Sequence, residues 1–236
     1  MGSIRIEAIG VEVGYSAKVA GGDFILCSGN FVGVIGNNGS GKSTLLKTLA
    51  GFIPLLKGHF LLNEVQISNL SKTAISKLIS IVNTSNSDLS LLTVKDLVSL
   101  GRYPFTNLWG TLQVKDEEII DDVLEKCGMF SKKQYKVNEL SDGERQKVFI
   151  AKSLAQQSPV LLLDEPTSFL DLKSKVRLFS LLEKLVKDEN KLIFISSHDL
   201  PIVQKHASHF LLLEKDKNWK LSKEKGEVEE WINSQL

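Results

Sequence analysis

Residues Gly36 to Thr44 read GNNGSGKST, and this stretch restricts the fold more than any other part of the chain. It follows an apolar run, Phe31-Val32-Gly33-Val34-Ile35, and precedes a pattern in which Leu45, Leu46 and Leu49 share one helical face. The local order is strand, glycine loop, helix, and Gly36 to Ser43 fits the phosphate-binding spacing G-x-x-x-x-G-K-[ST]. Gly36, Gly39 and Gly41 let consecutive backbone N–H groups, those of Asn37, Asn38 and Ser40 among them, turn onto a polyphosphate. The following helix adds free N–H groups and the positive end of its dipole. Lys42 is placed to reach the β- and γ-phosphates as a point charge, and the Ser43 hydroxyl to ligate Mg²⁺. A Gly/Asn turn ending by chance in Lys-Ser would lack the flanking strand and helix. The loop predicts nucleotide binding, but not what the nucleotide drives.

Further along, Val160 to Leu163 is a continuous apolar run, the mark of a strand buried on both faces of a parallel sheet, and it ends in Asp164-Glu165-Pro166. Two carboxylates at such a strand end are costly unless a cation or a reaction uses them. Ligands of open α/β sheets bind at those ends. Asp164 therefore reads as an acid of the Mg²⁺ shell, and Glu165 as a base for a water attacking the γ-phosphate. The next strand, Leu192 to Ile195, leads to His198 at the same sheet edge, where it is as well placed to meet phosphate as to be structural. Ser141 and Glu144 have the spacing of a capping box for a helix running to about Ala155. Tyr15 is either a core or edge aromatic or a platform for a base, and spacing does not decide between them.

The remaining pattern predicts half-buried antiparallel strands over Ile4 to Val13 and a short strand over His59 to Leu62. Helices are expected over Ser71 to Ile79, after Thr93, over Lys115 to Cys127 and over Ser174 to Val186, with a strand from Leu78 to Val82. Gly51 and Gly128 are placed to end helices. The polar run Asn83 to Ser90 reads as a loop, and the tail from Lys215 to Glu230 as a solvated mixed-charge surface. The middle third is mostly helical while both flanks alternate strands with helices. This gives one domain over residues 1–236 with a helical subdomain inserted at 85–158.

Composition narrows the partners. With 29 basic and 28 acidic residues the net charge is +1, which gives no nucleic-acid footprint. Hydrophobic content of 42% is that of a globular protein, and 236 residues suffice for a sizeable core. No apolar stretch approaches bilayer length, the N-terminus lacks a signal-peptide core, and Ile6 spoils a myristoylation pattern after Met1-Gly2. Any membrane role is therefore expected through a partner. Cys27 and Cys127 sit among apolar neighbours and read as buried free thiols in a reducing compartment. His206 and His209 lack acidic or Cys partners at metal spacing, so a zinc site is not expected.

Taken together, the motifs resemble the ATP-binding subunit of ABC transporters. The matching peptides are GNNGSGKST, LSDGERQ at Leu140 to Gln146, LLLDEP at Leu161 to Pro166, SFLD at Ser168 to Asp171, and the His198 switch. The LSxGE peptide ahead of the second carboxylate motif separates this family from other phosphate-loop ATPases. The resemblance implies a P-loop NTPase core, a mostly parallel sheet with flanking helices, carrying an N-terminal antiparallel β subdomain and an inserted helical subdomain. It also implies an ATPase using ATP and Mg²⁺. Two copies would sandwich two ATP molecules, each held by one copy's loop and the other's Ser141 and Gly143, with Asp171 adjoining. Tyr15 matches the adenine-stacking aromatic. Thr84 falls where the family usually carries a metal-contacting glutamine, so it is expected beside the metal. Asp142 replaces a more frequent glycine, and its side chain is expected to point away from phosphate. Leu100-Gly101-Arg102-Tyr103-Pro104 resembles importers of iron–siderophores, haem or cobalamin. That implies integral-membrane permease partners, a substrate-binding protein reached indirectly, and a peripheral place on the cytoplasmic face of the membrane. An ATPase of this fold without a membrane partner, and a nucleotide-gated scaffold with little turnover, are the rival readings.

Overall fold

The computed structural model describes residues 3–82, 89, 91–107 and 109–235. In chain order the elements are β1 (Arg5–Gly14), β2 (Lys18–Cys27), β3 (Phe31–Gly36), α1 (Lys42–Leu49), β4 (Lys57–Leu62), β5 (Val65–Gln66), α2 (Lys72–Leu78) and β6 (Ile79–Val82). Then come α3 (Val94–Ser99), α4 (Val114–Lys126), α5 (Asp142–Ala155), β7 (Val160–Asp164), α6 (Leu172–Lys187) and β8 (Leu192–Ser196). The chain closes with α7 (Leu200–His206), β9 (His209–Leu213), β10 (Trp219–Ser222) and α8 (Lys225–Gln235).

Two sheets organise these elements: an antiparallel one in the order β2-β1-β4-β5 and a mixed one in the order β10-β9-β3-β8-β7-β6. Within the second, β9, β3, β8, β7 and β6 run parallel and β10 pairs antiparallel with β9. Period-two alternation in the apolar strands feeds two cores. Phe31, Ile35, Leu161, Leu163, Ile193 and Ile195 face the helices α3 to α8. Val32, Val34, Val160, Leu162, Leu192 and Phe194 face the other way, toward α1 and the antiparallel sheet. Leu45, Leu46 and Leu49 are fully buried there, so α1 is enclosed between the sheets with its first turn at the strand ends. Between β6 and β7 the regular helices are α3, α4 and α5, joined by 3₁₀ turns such as Leu100–Phe105.

Several expectations change. The stretch after Ile4 is one long strand, kinked by a register shift between Ala8 and Val11 where Gly10 takes φ 56°. Strand β2, absent from the sequence reading, pairs along its length with β1. The tail is no mere solvated surface: β10 and α8 bury Trp219 and Val228 while their charges face out. Cys27 and Cys127 are free but half-buried rather than fully buried, and burial pushes the Cys127 thiol up to about 12. Gly51 and Gly128 do end α1 and α4, with φ 76° and 68°. His206 pairs with Glu183 at 2.9 Å and packs on Phe179, and His209 contacts the Ser208 hydroxyl at 2.9 Å. Among the described residues no group of three or more His, Cys, Asp or Glu is arranged for a metal, and no helix is long and apolar enough to cross a membrane.

Candidate phosphate-binding site

Strand β3 delivers Gly36 to the sheet edge, and the loop turns back to start α1 at Lys42. Gly41 caps that helix at φ 101°, a left-handed conformation that side chains resist, and being glycine it adds no side-chain hydrogen bond to the first turn. A Cβ on Gly36 would lie 2.4 Å from Ser40 Oγ, so the loop closes tightly on itself. Ser40 Oγ is buried with no hydrogen-bond partner among the described residues, an orphaned polar atom inside the loop. Lys42 is buried, and its ammonium donates to the carbonyls of Gly36 (2.8 Å) and Asn37 (3.2 Å). Burial lowers its pKa, while Glu165 and Asp164 pull the other way. A desolvated cation, open helix N–H groups and an orphaned hydroxyl in one loop suit a polyphosphate.

The acidic motif adjoins it. Between β3 and β7 lies β8, with Asp164 level with Ser196 in the β7–β8 register and Val34 level with Ser196 in the β3–β8 register. Ser43 Oγ donates to Asp164 Oδ1 at 2.9 Å, and Ser196 Oγ donates to the same oxygen at 2.8 Å. Ser196 Oγ also accepts from the Glu165 backbone N–H at 3.0 Å. Glu165 takes φ 49°, a strained conformation for a side-chain-bearing residue, and its Oε1 is buried without a hydrogen bond. His198 Nε2 lies 3.4 Å from that oxygen, on a ring that is 63% exposed. Ser43 and Asp164 fit the sparse protein ligation typical of Mg²⁺ held together with phosphates. Glu165 Oε1, buried and without a hydrogen bond, suits a base awaiting its water.

Sequence reasoning missed Ser196, because its partners lie 31 and 32 residues away. It also missed the rim of a pocket of about 420 Å³ over the loop, where Lys18, Lys215 and Lys217 join Asn37 to Ser40. Lys18 Nζ ties that rim together by donating to Asn218 Oδ1 at 2.8 Å. Tyr15, 72% exposed just beyond β1, is not a core residue, which leaves an edge aromatic or a platform for a base.

The LSDGERQ peptide folds as the expected cap. Ser141 Oγ accepts from Glu144 N (3.4 Å), and the Glu144 carboxylate accepts from Ser141 N (3.2 Å). Lys132, 2.7 Å from Glu144, holds that carboxyl below its usual range, with the Ser141 hydrogen bonds helping. The Asp142 side chain is 70% exposed and turned toward Arg145, 3.6 Å away. Gly143 lies so close to Phe169 that a Cβ would stand 2.8 Å from its carbonyl oxygen, and buried Gln146 donates to Pro166 O at 3.1 Å. The start of α5 is thus joined to the segment after Glu165. Asp171 caps α6 by accepting from Ser174 N at 2.7 Å, and the Ser174 hydrogen bonds keep its pKa low. Arg102 is buried, pairing with Asp116 at 2.8 Å and donating to Ala155 O at 2.8 Å, while Leu100, Tyr103 and Phe105 around it stay exposed. Thr84 lies outside the described residues.

The family model described as ABC transporter matches residues 20–168. An achromobactin transport ATP-binding protein of Dickeya dadantii is 39% identical over 189 residues, covering 80% of this chain and 70% of the relative. An iron(3+)-hydroxamate import ATP-binding protein of Bacillus subtilis is 35% identical over 215 residues, 91% of this chain and 80% of the relative. A solved inward-facing conformation of a metal-chelate type ABC transporter superposes with TM-score 0.78 at 27% identity, covering 93% of this chain and 83% of the other.

Proposed function

The chain belongs to the ABC transporter family of ATPases, and we propose that it is the ATP-hydrolysing subunit of an importer, acting as a pair of copies beneath membrane permease subunits. The observation that carries the ATP-hydrolysing part of this reading is the run Ser43, Asp164, Ser196, Glu165, which ties the phosphate loop, a metal-type carboxylate and a candidate base at one sheet edge. The importer part is supported by the relatives. ATP would lie along Gly36, Asn37, Asn38, Gly39, Ser40, Gly41 and Thr44, with Tyr15 against the base and Lys42 leaving its two carbonyls for phosphate. Ser43 and Asp164 would hold Mg²⁺, which when bound neutralises the β- and γ-phosphate oxygens. Glu165 would orient a water and take its proton, with His198 steadying the arrangement. The same reading makes the second copy's Ser141 and Gly143 cover the γ-phosphate, with Asp171 alongside.

The helical part, which we assign to residues 85–158, would meet the permease through Leu100, Tyr103 and Phe105, held by the Arg102–Asp116 pair. That places the subunit on the cytoplasmic face of the membrane, with a substrate-binding protein reached through the permease. The proposed cargo is an iron–siderophore, haem or cobalamin. Relatives named for achromobactin, iron(3+)-hydroxamate and cobalamin support a chelate, and one named for manganese supports the rival, a free metal ion. The test combines phosphate release from Mg·ATP with uptake of the three cargoes in cells lacking the chain. Glu165→Gln should keep ATP binding and lower release roughly 100- to 1000-fold, and the deletion should stop uptake of one chelate. Hydrolysis with no membrane association, or a defect confined to a free metal ion, would overturn the importer or the chelate reading respectively.

A further inference from the structure

A cleft of about 610 Å³ lies apart from the phosphate loop, between the end of α4, the middle of α5 and the outer face of α6. Its floor is apolar. Ile150, Leu170 and Leu178 are buried there, and Cys127 and Leu181 pack onto the same core. The Cys127 thiol, pushed up to about 12 by burial, stays protonated and adds no charge. The rim is cationic: Lys126, Lys147, Arg177 and Lys184 line it against one carboxylate, Glu125. In a chain of 29 basic and 28 acidic residues, that is a local excess rather than a reflection of composition. Lys126 is already answered by Asp122 at 2.9 Å. Among the described residues Lys147, Arg177 and Lys184 have no carboxylate at ion-pairing distance. Arg177, Leu181 and Lys184 follow one another at i, i+4 and i+7, which sets an apolar side chain between two cations on one face of α6.

The size falls within the range of roughly 300–1,000 Å³ that holds small organic ligands on mostly apolar walls with a few polar anchors. A neutral guest would leave the cations unanswered, and an inorganic anion would leave the floor wet. Together the two features select an apolar body with a negative head. We propose that this cleft binds a small free amphipathic anion, of the class of a medium-chain carboxylate, whose body covers Leu178 and Leu181 and whose head meets Arg177 and Lys184. Such a guest would touch α5, which begins after Ser141, and α6, which Asp171 caps, so it would sit between two helices whose starts the sequence motifs single out. None of these rim residues lines the phosphate loop, and the inference stands independently of ATP hydrolysis.

The full chain is titrated with anilinonaphthalene sulfonate, followed by fluorescence, and then with competitors. Saturable one-to-one binding is expected, displaced by decanoate and not by decanol or sulfate. Arg177→Glu with Lys184→Glu should weaken it about tenfold, whereas Lys205→Glu, on α7, should leave it unchanged. Both reversals are at exposed positions, and circular dichroism checks the fold. If the pair fails to fold, Lys147→Gln carries the same expectation of weaker binding. Equal displacement by decanol, or unchanged affinity in the rim variants, would overturn the proposal. Sedimentation with phosphatidylglycerol vesicles should be the same for wild type and the double variant. Its loss in the variant would make the rim a lipid-surface contact and overturn the free ligand.

Discussion

Two helix starts in this chain carry sequence motifs, and they are built in opposite ways. At α1 the cap is Gly41, which has no side chain to bond the first turn, and a buried lysine and an orphaned serine hydroxyl lie beside it. At α5 the first turn is already satisfied by the reciprocal box of Ser141 and Glu144, and its cap is exposed. The first is a site open to phosphate within one chain. In the proposed function the second is half a site, whose hydroxyl would exchange its cap for a phosphate oxygen. The difference teaches that a binding motif need not look vacant. Under that proposal a γ-phosphate would compete with the capping box for the same N–H groups and the same hydroxyl, and the box holds the start of α5 while no ligand is bound. The proposed pairing of two copies follows: the open half of one faces the capped half of the other.

The largest effect is expected at the open half. Lys42→Ala should weaken Mg·ATP binding roughly 100-fold or more, since it removes the charge that meets phosphate. The melting temperature should hold or rise, because burial already disfavours this cation in the ligand-free chain. Tight nucleotide binding by the folded variant, read by calorimetry, would break the contrast at its root.

Next comes Ser196→Ala. It leaves the Glu165 N–H without its acceptor and Asp164 with one donor fewer, at a cost of about 1–3 kcal/mol in stability. Steady-state hydrolysis should fall about tenfold, with ATP affinity changed less than hydrolysis. Equal losses in both would show that Ser196 shapes the whole loop rather than positioning Glu165.

The smallest effect belongs to the capped half. Glu144→Gln keeps a side chain able to close the box but removes the carboxylate from the approach of phosphate. Because Lys132 already offsets that charge, ATP-dependent pairing of copies should tighten by no more than a few-fold. Pairing measured by light scattering that weakens instead would mean that the Glu144 charge holds Ser141 in place for its ligand.

How much of this was legible in the sequence depends on where each residue finds its partners. The parallel strands were, because residues buried on both faces form unbroken apolar runs such as Val160 to Leu163. So were the phosphate loop and the two carboxylates, whose types and spacing follow from chemistry that acts over a few residues. The hairpin of β9 and β10 was not: Trp219 buries against β2 and Phe24, on the far side of the chain, while its neighbours are charged. Strand β2 was hidden by Gly21 and Gly22, which break its apolar pattern where the chain passes close to β1 and Trp219. Ser196 and Gln146 act through contacts formed across the fold, and no local spacing marks them.

The central claim is that the two halves meet only between copies, and one measurement tests it most directly. Glu165→Gln, which should bind ATP without consuming it, is run by size-exclusion chromatography with light scattering in ATP or ADP, and again with Ser141→Arg added. The account predicts a dimer with ATP, a monomer with ADP, and a monomer in both nucleotides once Ser141 is replaced, while ATP still binds to the open half. A Glu165→Gln protein that stays monomeric at high ATP and protein concentration, or a dimer that survives Ser141→Arg, would contradict it.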